Sequence, residues 1–124
     1  MRKYKLLVID DEQEYLDLYT DIFVDDYDIT SFLSPLDGLA FVQTSSVKVN
    51  IVILDLDMPK LNGIDTCKKI LQRFPCCPII IISGNTTPEA QHDAHAAGAV
   101  AFINKPFSIK ALTDTVTHFL TETI

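Results

Sequence analysis

At 124 residues, 48% hydrophobic and 22% charged, the chain has room for one domain with one core and the composition of a globular protein. No apolar run approaches the ~20 residues of a membrane span. The basic start, Met1 to Lys5, leads into only a short apolar run before two Asp, so it does not read as a signal peptide and a cytoplasmic location is expected. A formal net charge of -7 argues against duplex DNA as a direct ligand, because that affinity rests on Lys and Arg contacts to phosphate.

Leu6-Leu7-Val8-Ile9 is a short apolar run that stops at Asp10-Asp11-Glu12, as a buried strand with acids at its carboxyl end would. Tyr15, Leu18/Tyr19 and Ile22/Phe23 then recur at helical spacing. Tyr27 to Phe32 alternates imperfectly and reads as an edge strand. Ser34-Pro35 opens a helix with a cap residue and Pro at the first helical position, and Leu36, Leu39 and Ala40 give it a thin apolar face.

The stretch from Asn50 to Gly63 organises the rest. Ile51 to Leu54 suit a strand covered on both faces, and they run straight into Asp55. Met58-Pro59 and Asn62-Gly63 then stop it. Asp55 is thereby expected at the carboxyl end of a central strand, where open α/β sheets place their sites.

Ile64, Cys67, Ile70/Leu71 and Phe74 mark a further amphipathic helix. Ile79 to Ile82 is another fully apolar strand, ending at Ser83-Gly84. Thr87-Pro88 starts an Ala-rich helix that ends near Gly98. Ala99 to Ile103 is read as the last strand. Lys105-Pro106-Phe107 follows it, and Ser108 caps a final helix carrying Ile109, Leu112, Val116 and Phe119/Leu120. The three cysteines, Cys67, Cys76 and Cys77, lack framework spacing and suggest a reducing compartment. Cys76 and Cys77 are adjacent, which is poor geometry for a mutual disulfide; they read either as loop thiols between Pro75 and Pro78 or, less readily, as a pair with a metal or redox role.

Strands alternating with helices imply an α/β fold, a doubly wound (βα)5 parallel sheet with helices on both faces, as a single domain over residues 1–124. In such a sheet the carboxyl ends of all strands share one rim. That rim collects Asp10 and Asp11, then Asp55, Ser83 and Lys105. Three carboxylates close together repel, and each has its pKa raised unless a cation joins them. Hard oxygen ligands suit Mg²⁺. A carboxylate can serve as a nucleophile and form an aspartyl-phosphate, in a transfer that needs positioning and charge neutralisation. The residues thus point to a Mg²⁺-dependent phosphoryl acceptor on Asp55. Taken singly, each has a structural alternative: acids at strand ends cap helices, and Lys105 could be a surface lysine.

With these residues in place, the chain resembles the receiver domain of two-component response regulators from about Lys5 to about Leu120. The resemblance is carried by VIDDE (Val8–Glu12), LDLDMPKLNG (Leu54–Gly63), IISG (Ile81–Gly84) and NKPF (Asn104–Phe107), in that order. It implies a flavodoxin-like strand order 2-1-3-4-5. It implies that Asp55 takes a phosphoryl group from the phosphohistidine of a sensor histidine kinase or phosphotransfer protein. It implies Mg²⁺ (or Mn²⁺) held by Asp11, by Asp10 directly or through water, by Asp55 and by the backbone carbonyl of Asp57. Lys105 would pair with the phosphoryl group, and Ser83 would move towards it. Phe102 would turn inward as a switch aromatic, and the Lys105-Pro106 bond would be cis. The changed surface of the fourth helix, fifth strand and fifth helix would then be read by a downstream protein or output domain. If phosphorylation produces a homodimer, the fourth helix and fifth strand are the expected meeting face. Asp57 and Asn85 occupy positions thought to tune dephosphorylation in the family.

The resemblance implies a signalling domain that catalyses only its own phosphorylation and dephosphorylation. Three rivals are weighed. A phosphatase of the haloacid dehalogenase type also begins with D-x-D after an apolar strand, and Asp55-Leu56-Asp57 fits that much. It places its nucleophile near the start, however, whereas Asp10-Asp11 comes first here. A flavodoxin-like cofactor binder needs a phosphate-cradling loop after the first strand, where Asp10-Asp11-Glu12 would repel phosphate. A degenerate receiver used only for docking would have lost site residues that this chain keeps. His92 and His95 fall on one face of the fourth helix, either as solvated surface residues or as a pH- or metal-sensitive patch.

Overall fold

In the computed structural model, which describes residues 3–57 and 62–123, the apolar runs of the sequence become the middle of a parallel sheet. The elements in chain order are β1 (Tyr4–Ile9), α1 (Gln13–Phe23), β2 (Tyr27–Phe32), α2 (Pro35–Thr44), β3 (Ile51–Asp55), α3 (Gly63–Arg73), β4 (Ile79–Ser83), α4 (Pro88–Ala96), β5 (Ala101–Asn104) and α5 (Ile109–Thr123). The sheet order is β2-β1-β3-β4-β5, with each neighbouring pair parallel. The strand order reverses between β1 and β3. A crevice therefore opens beyond their carboxyl ends, at the switch point where ligands of such sheets bind.

Alternation along the strands divides the core in two. Leu7, Ile9, Val52, Leu54, Ile79 and Ile81 face α2, α3 and α4. Leu6, Val8, Ile51, Ile53, Ile80 and Ile82 face α1 and α5 with Leu16, Tyr19, Phe23, Leu112 and Val116. The β3 and β4 aliphatics are fully buried, each worth about 1.5–3 kcal/mol of transfer free energy. That anchorage is what allows their carboxyl ends to hold polar groups in fixed places.

The caps at Ser34 and Thr87 form: their hydroxyls accept from the amides of Asp37 and Ala90. Three local expectations are corrected. The buried stripe of α2 is Pro35, Gly38, Leu39 and Val42, whereas Leu36 and Ala40 face solvent. Ile109 on α5 is also exposed. The last strand begins at Ala101 and not Ala99, because Gly98 takes φ 105° and the Ala99 amide bonds back to the Ala94 carbonyl. The Asn62-Gly63 pair, expected beyond the end of the strand, opens α3. Asn62 caps α3 by accepting from the Ile64 amide, and Gly63 is its first residue. A Cβ on Gly63 would lie 2.8 Å from the Leu56 Cα, so close approach of α3 to the end of β3 requires glycine there. The Met58-Pro59 stop lies outside the described residues.

Candidate functional site

Register brings the strand ends to one rim: Ile9 pairs with Leu54, Asp55 with Ile82, and Ser83 with Asn104. The next residues along β1 and β5 are Asp10 and Lys105. Asp10 is fully buried and Asp55 is 2% exposed. Such carboxylates need partners, and each oxygen of Asp55 has one. Oδ1 accepts from the Asp57 amide at 3.0 Å, and Oδ2 accepts from Lys105 Nζ at 3.3 Å. Asp10 Oδ1 accepts from the Glu12 amide at 2.9 Å, while its Oδ2 faces Lys105 Nζ at 3.0 Å and the Tyr19 hydroxyl at 3.4 Å.

Lys105 is the hub. Its ammonium also meets Glu12 Oε2 at 2.9 Å and lies 3.9 Å from the centroid of the Tyr15 ring, within cation–π range. The Tyr15 and Tyr19 rings pack with Phe107, which follows the cis Lys105-Pro106 bond.

One cation shared among several acids leaves a residue of repulsion. Burial pushes the Asp55 carboxyl up to about 6, and the Asp10 charge adds to this. The Asp57 amide and Lys105 pull the other way without overcoming it. Burial alone would lower the Lys105 ammonium, but hydrogen bonds to Glu12 and Asp10, with the charges of Asp55 and Asp10, raise it well above its usual value. The two shifts agree physically: the lysine is firmly charged, and its field is divided. Burial and the neighbouring acids likewise raise the Tyr19 hydroxyl, keeping it a donor.

Asp10, Asp11, Glu12 and Asp55 each offer a carboxylate oxygen, all within 4.8 Å of one another. This set is hard and strongly anionic. It fits Mg²⁺ or Mn²⁺ and contains no soft donor that would favour zinc or copper. An open cavity of about 490 Å³ stands over it, lined by Asp11, Glu12, Tyr15, Asp55, Asp57, Gly84, Lys105 and Pro106.

Ser83 is at the adjoining strand end, also fully buried, but its hydroxyl is engaged elsewhere. It donates to Asp57 Oδ1 at 2.7 Å, and the Gly84 amide donates to Asp57 Oδ2 at 2.7 Å. The structure therefore gathers Asp10, Asp11, Asp55 and Lys105 and ties Ser83 to the Asp57 side chain. Glu12, Tyr15 and Tyr19 join the site although sequence patterning assigned them only to a strand end and a helix face. The one available signal was two tyrosines four residues apart directly after the acids, whose hydroxyls and rings need partners when buried.

Residues 6–117 match the family described as the response regulator receiver domain. The chain belongs to that family. It is 34% identical over 110 residues to a protein-glutamate methylesterase/protein-glutamine glutaminase of Pyrococcus horikoshii, covering 86% of this chain and 30% of that protein. It is 28% identical over 117 residues to the response regulator SaeR of Staphylococcus aureus, covering 94% of this chain and 50% of that one. The chain thus spans half or less of the length of these two curated relatives. Its fold matches a CheY-like receiver domain protein from Methanospirillum hungatei with TM-score 0.91 at 24% identity, over 98% of this chain and 97% of that one.

In this receiver, Phe102 is half-buried on the α4 side of β5 and borders a cavity of about 280 Å³ with Gln91, Ala94 and His95. Helix α4 buries only Ala90 and Ala94. His92 and His95 are both exposed. No helix among the described residues is long and apolar enough to cross a membrane.

Proposed function

We propose that this receiver, as one unit over residues 1–124, accepts a phosphoryl group on Asp55 from the phosphohistidine of a sensor histidine kinase or phosphotransfer protein in the cytoplasm. The observation that carries the reading is the setting of Asp55. It is a buried carboxylate at a strand end, held through both oxygens, beside one lysine and opposite three further acids.

The chemistry follows from that setting. An Asp55 oxygen attacks phosphorus in line, the P–N bond of phosphohistidine breaks, and the imidazole leaves with the bonding pair and takes a proton. An acyl phosphate remains. Hydrolysis by water later returns the carboxylate and inorganic phosphate. Positioning does most of the catalysis: the Asp57 amide fixes one oxygen of Asp55, and Lys105 neutralises charge on the other side. Asp10, Asp11, Asp55 and the Asp57 carbonyl are the proposed holders of Mg²⁺ or Mn²⁺, with Glu12 adjacent. The metal would supply charge neutralisation at the phosphoryl oxygens. Lys105 then exchanges carboxylate partners for a phosphoryl oxygen, Ser83 donates to another, and Phe102 turns inward beside the lightly anchored α4. A partner or output segment reads the α4-β5-α5 face, a small charge event biasing a two-state element.

The test is transfer of label from radiolabelled acetyl phosphate with Mg²⁺ present. The expected result is stoichiometric, hydroxylamine-labile label that is absent from Asp55→Asn. Label that survives Asp55→Asn would refute the assignment.

A further inference from the structure

Ser83 and Gly84 present two donors at the head of the β4–α4 loop, and both are taken by a single carboxylate. Asp57 Oδ1 receives the Ser83 hydroxyl and Oδ2 the Gly84 amide, each at 2.7 Å. Two short bonds to one anion are of the strong, charge-assisted kind. The Ser83 oxygen accepts in turn from the Asn85 amide at 2.9 Å, and the Asn85 side chain accepts from the Thr87 amide at 3.2 Å, at the cap of α4. A chain of hydrogen bonds therefore runs from Asp57 to the start of the helix. Asp55, Asp57 and Gly84 line the same cavity.

We infer that the Asp57 side chain is an internal decoy for the phosphoryl group. It is a positioning residue that holds Ser83 and Gly84 in the resting arrangement by occupying the donors a phosphorylated Asp55 would recruit. The inference rests on the phosphoryl-acceptor reading of Asp55. The backbone around Asp57 serves that site through its amide. The side chain opposes it, since two oxygens carrying one negative charge satisfy the same pair of donors that two phosphoryl oxygens would. Switching requires these bonds to be surrendered, which lowers the population of the binding-competent state and weakens apparent affinity by the same factor. A phosphoryl dianion also repels the Asp57 carboxylate, so arrival of phosphate helps to eject the decoy. Asp57 is exposed, and solvent screening holds the effect to a modest factor.

The experiment is a double-mutant cycle read by beryllofluoride affinity in saturating Mg²⁺, using the unchanged chain, Asp57→Ala, Ser83→Ala and the double variant. Asp57→Ala is expected to bind about three- to tenfold more tightly in the Ser83 background. That gain should shrink by at least about threefold in the Ser83→Ala background, because the hydroxyl through which the decoy acts is gone. Asp57→Asn, which keeps one neutral acceptor, should fall between. In the metal-free chain the Gly84 amide proton is expected downfield, as for a donor to a carboxylate, and should move upfield in Asp57→Ala. An equal gain in both backgrounds would show a pure charge effect and overturn the decoy while leaving the Asp55 reading intact. Failure of the unchanged chain to bind beryllofluoride at all would overturn both.

Discussion

The ammonium of Lys105 lies 3.3 Å from a carboxylate oxygen of Asp55, with 9% of the lysine side chain and 2% of the aspartate side chain exposed. The same ammonium reaches Asp10 at 3.0 Å, and that side chain is 1% exposed. Lys105 is therefore the counterion of the site before it can be a ligand of anything else. Removing one partner of a buried ion pair leaves an uncompensated charge, which is far costlier than the pair is stabilising. Lys105→Met keeps an unbranched side chain of similar length and removes the ammonium with its contacts to Asp10, Glu12, Asp55 and Tyr15. It should destabilise the divalent-free fold by about 2–4 kcal/mol, measured by urea unfolding. Millimolar Mg²⁺ should restore more stability to Lys105→Met than it adds to the parent, since the ion then replaces the missing cation. A loss of the same size with and without Mg²⁺ would separate the lysine from the acidic set.

A pH dependence follows from Asp55. The unfolded chain keeps its carboxyl near 3.8, and the folded chain raises it to about 6, chiefly by burial. Between those values the native state holds a proton that the unfolded state has lost. Stability in the absence of divalent ions therefore falls as pH rises through that window and stays lower above it. Asp55→Asn mimics the protonated form. It should be more stable than the parent at about pH 7.5 by about 1–3 kcal/mol, with the difference gone below 3.8. Added Mg²⁺ should narrow the gap at neutral pH by favouring the charged carboxylate. A parent and variant that melt in parallel across the range would contradict the burial of this group.

The rim was legible in the sequence because apolar runs ending in polar residues mark strand ends, and parallel strands put those ends together. Asp10, Asp55, Ser83 and Lys105 could be placed by that logic alone. What the logic does not contain is the direction of each side chain. Ser83 sits where the alignment of strand ends puts it, yet donates to Asp57. Glu12 looked like a helix-start acid and instead ligates the lysine, with the α1 N-terminus left without a side-chain cap. On α2, two stripes of similar hydrophobicity compete, and the choice of Leu39 and Val42 over Leu36 and Ala40 is made by the sheet beneath. Such choices come from tertiary packing, which periodicity in one segment cannot see.

Gly98 closes α4 with φ 105°, and a Cβ there would come within 2.5 Å of Leu71 Cδ1 on α3. Both the backbone and the space favour glycine. Gly98→Ala should cost about 1–3 kcal/mol, seen as a lower urea midpoint with an unchanged slope. The strain falls where α4 hands over to β5, so amide exchange should quicken around Ala94–Val100 before it does in β3. Uniform acceleration across the sheet would mean that the turn is not a local weak point.

The cysteines divide by burial in a way that thiol chemistry can read. Cys76 is exposed, whereas Cys67 and Cys77 are buried. Burial pushes their thiols up to about 11 and about 12, respectively, so at neutral pH neither holds an appreciable fraction of the reactive thiolate. An aromatic disulfide reagent should titrate one thiol rapidly in the native chain and all three in denaturant. Replacing Cys76 with Ser should abolish the fast phase without shifting the melting temperature, because that side chain is exposed. Replacing Cys77 with Ser should lower the melting temperature by several degrees, since a hydroxyl would then replace a sulfur seated among apolar neighbours. Two fast thiols in the native protein would place Cys67 or Cys77 outside the core.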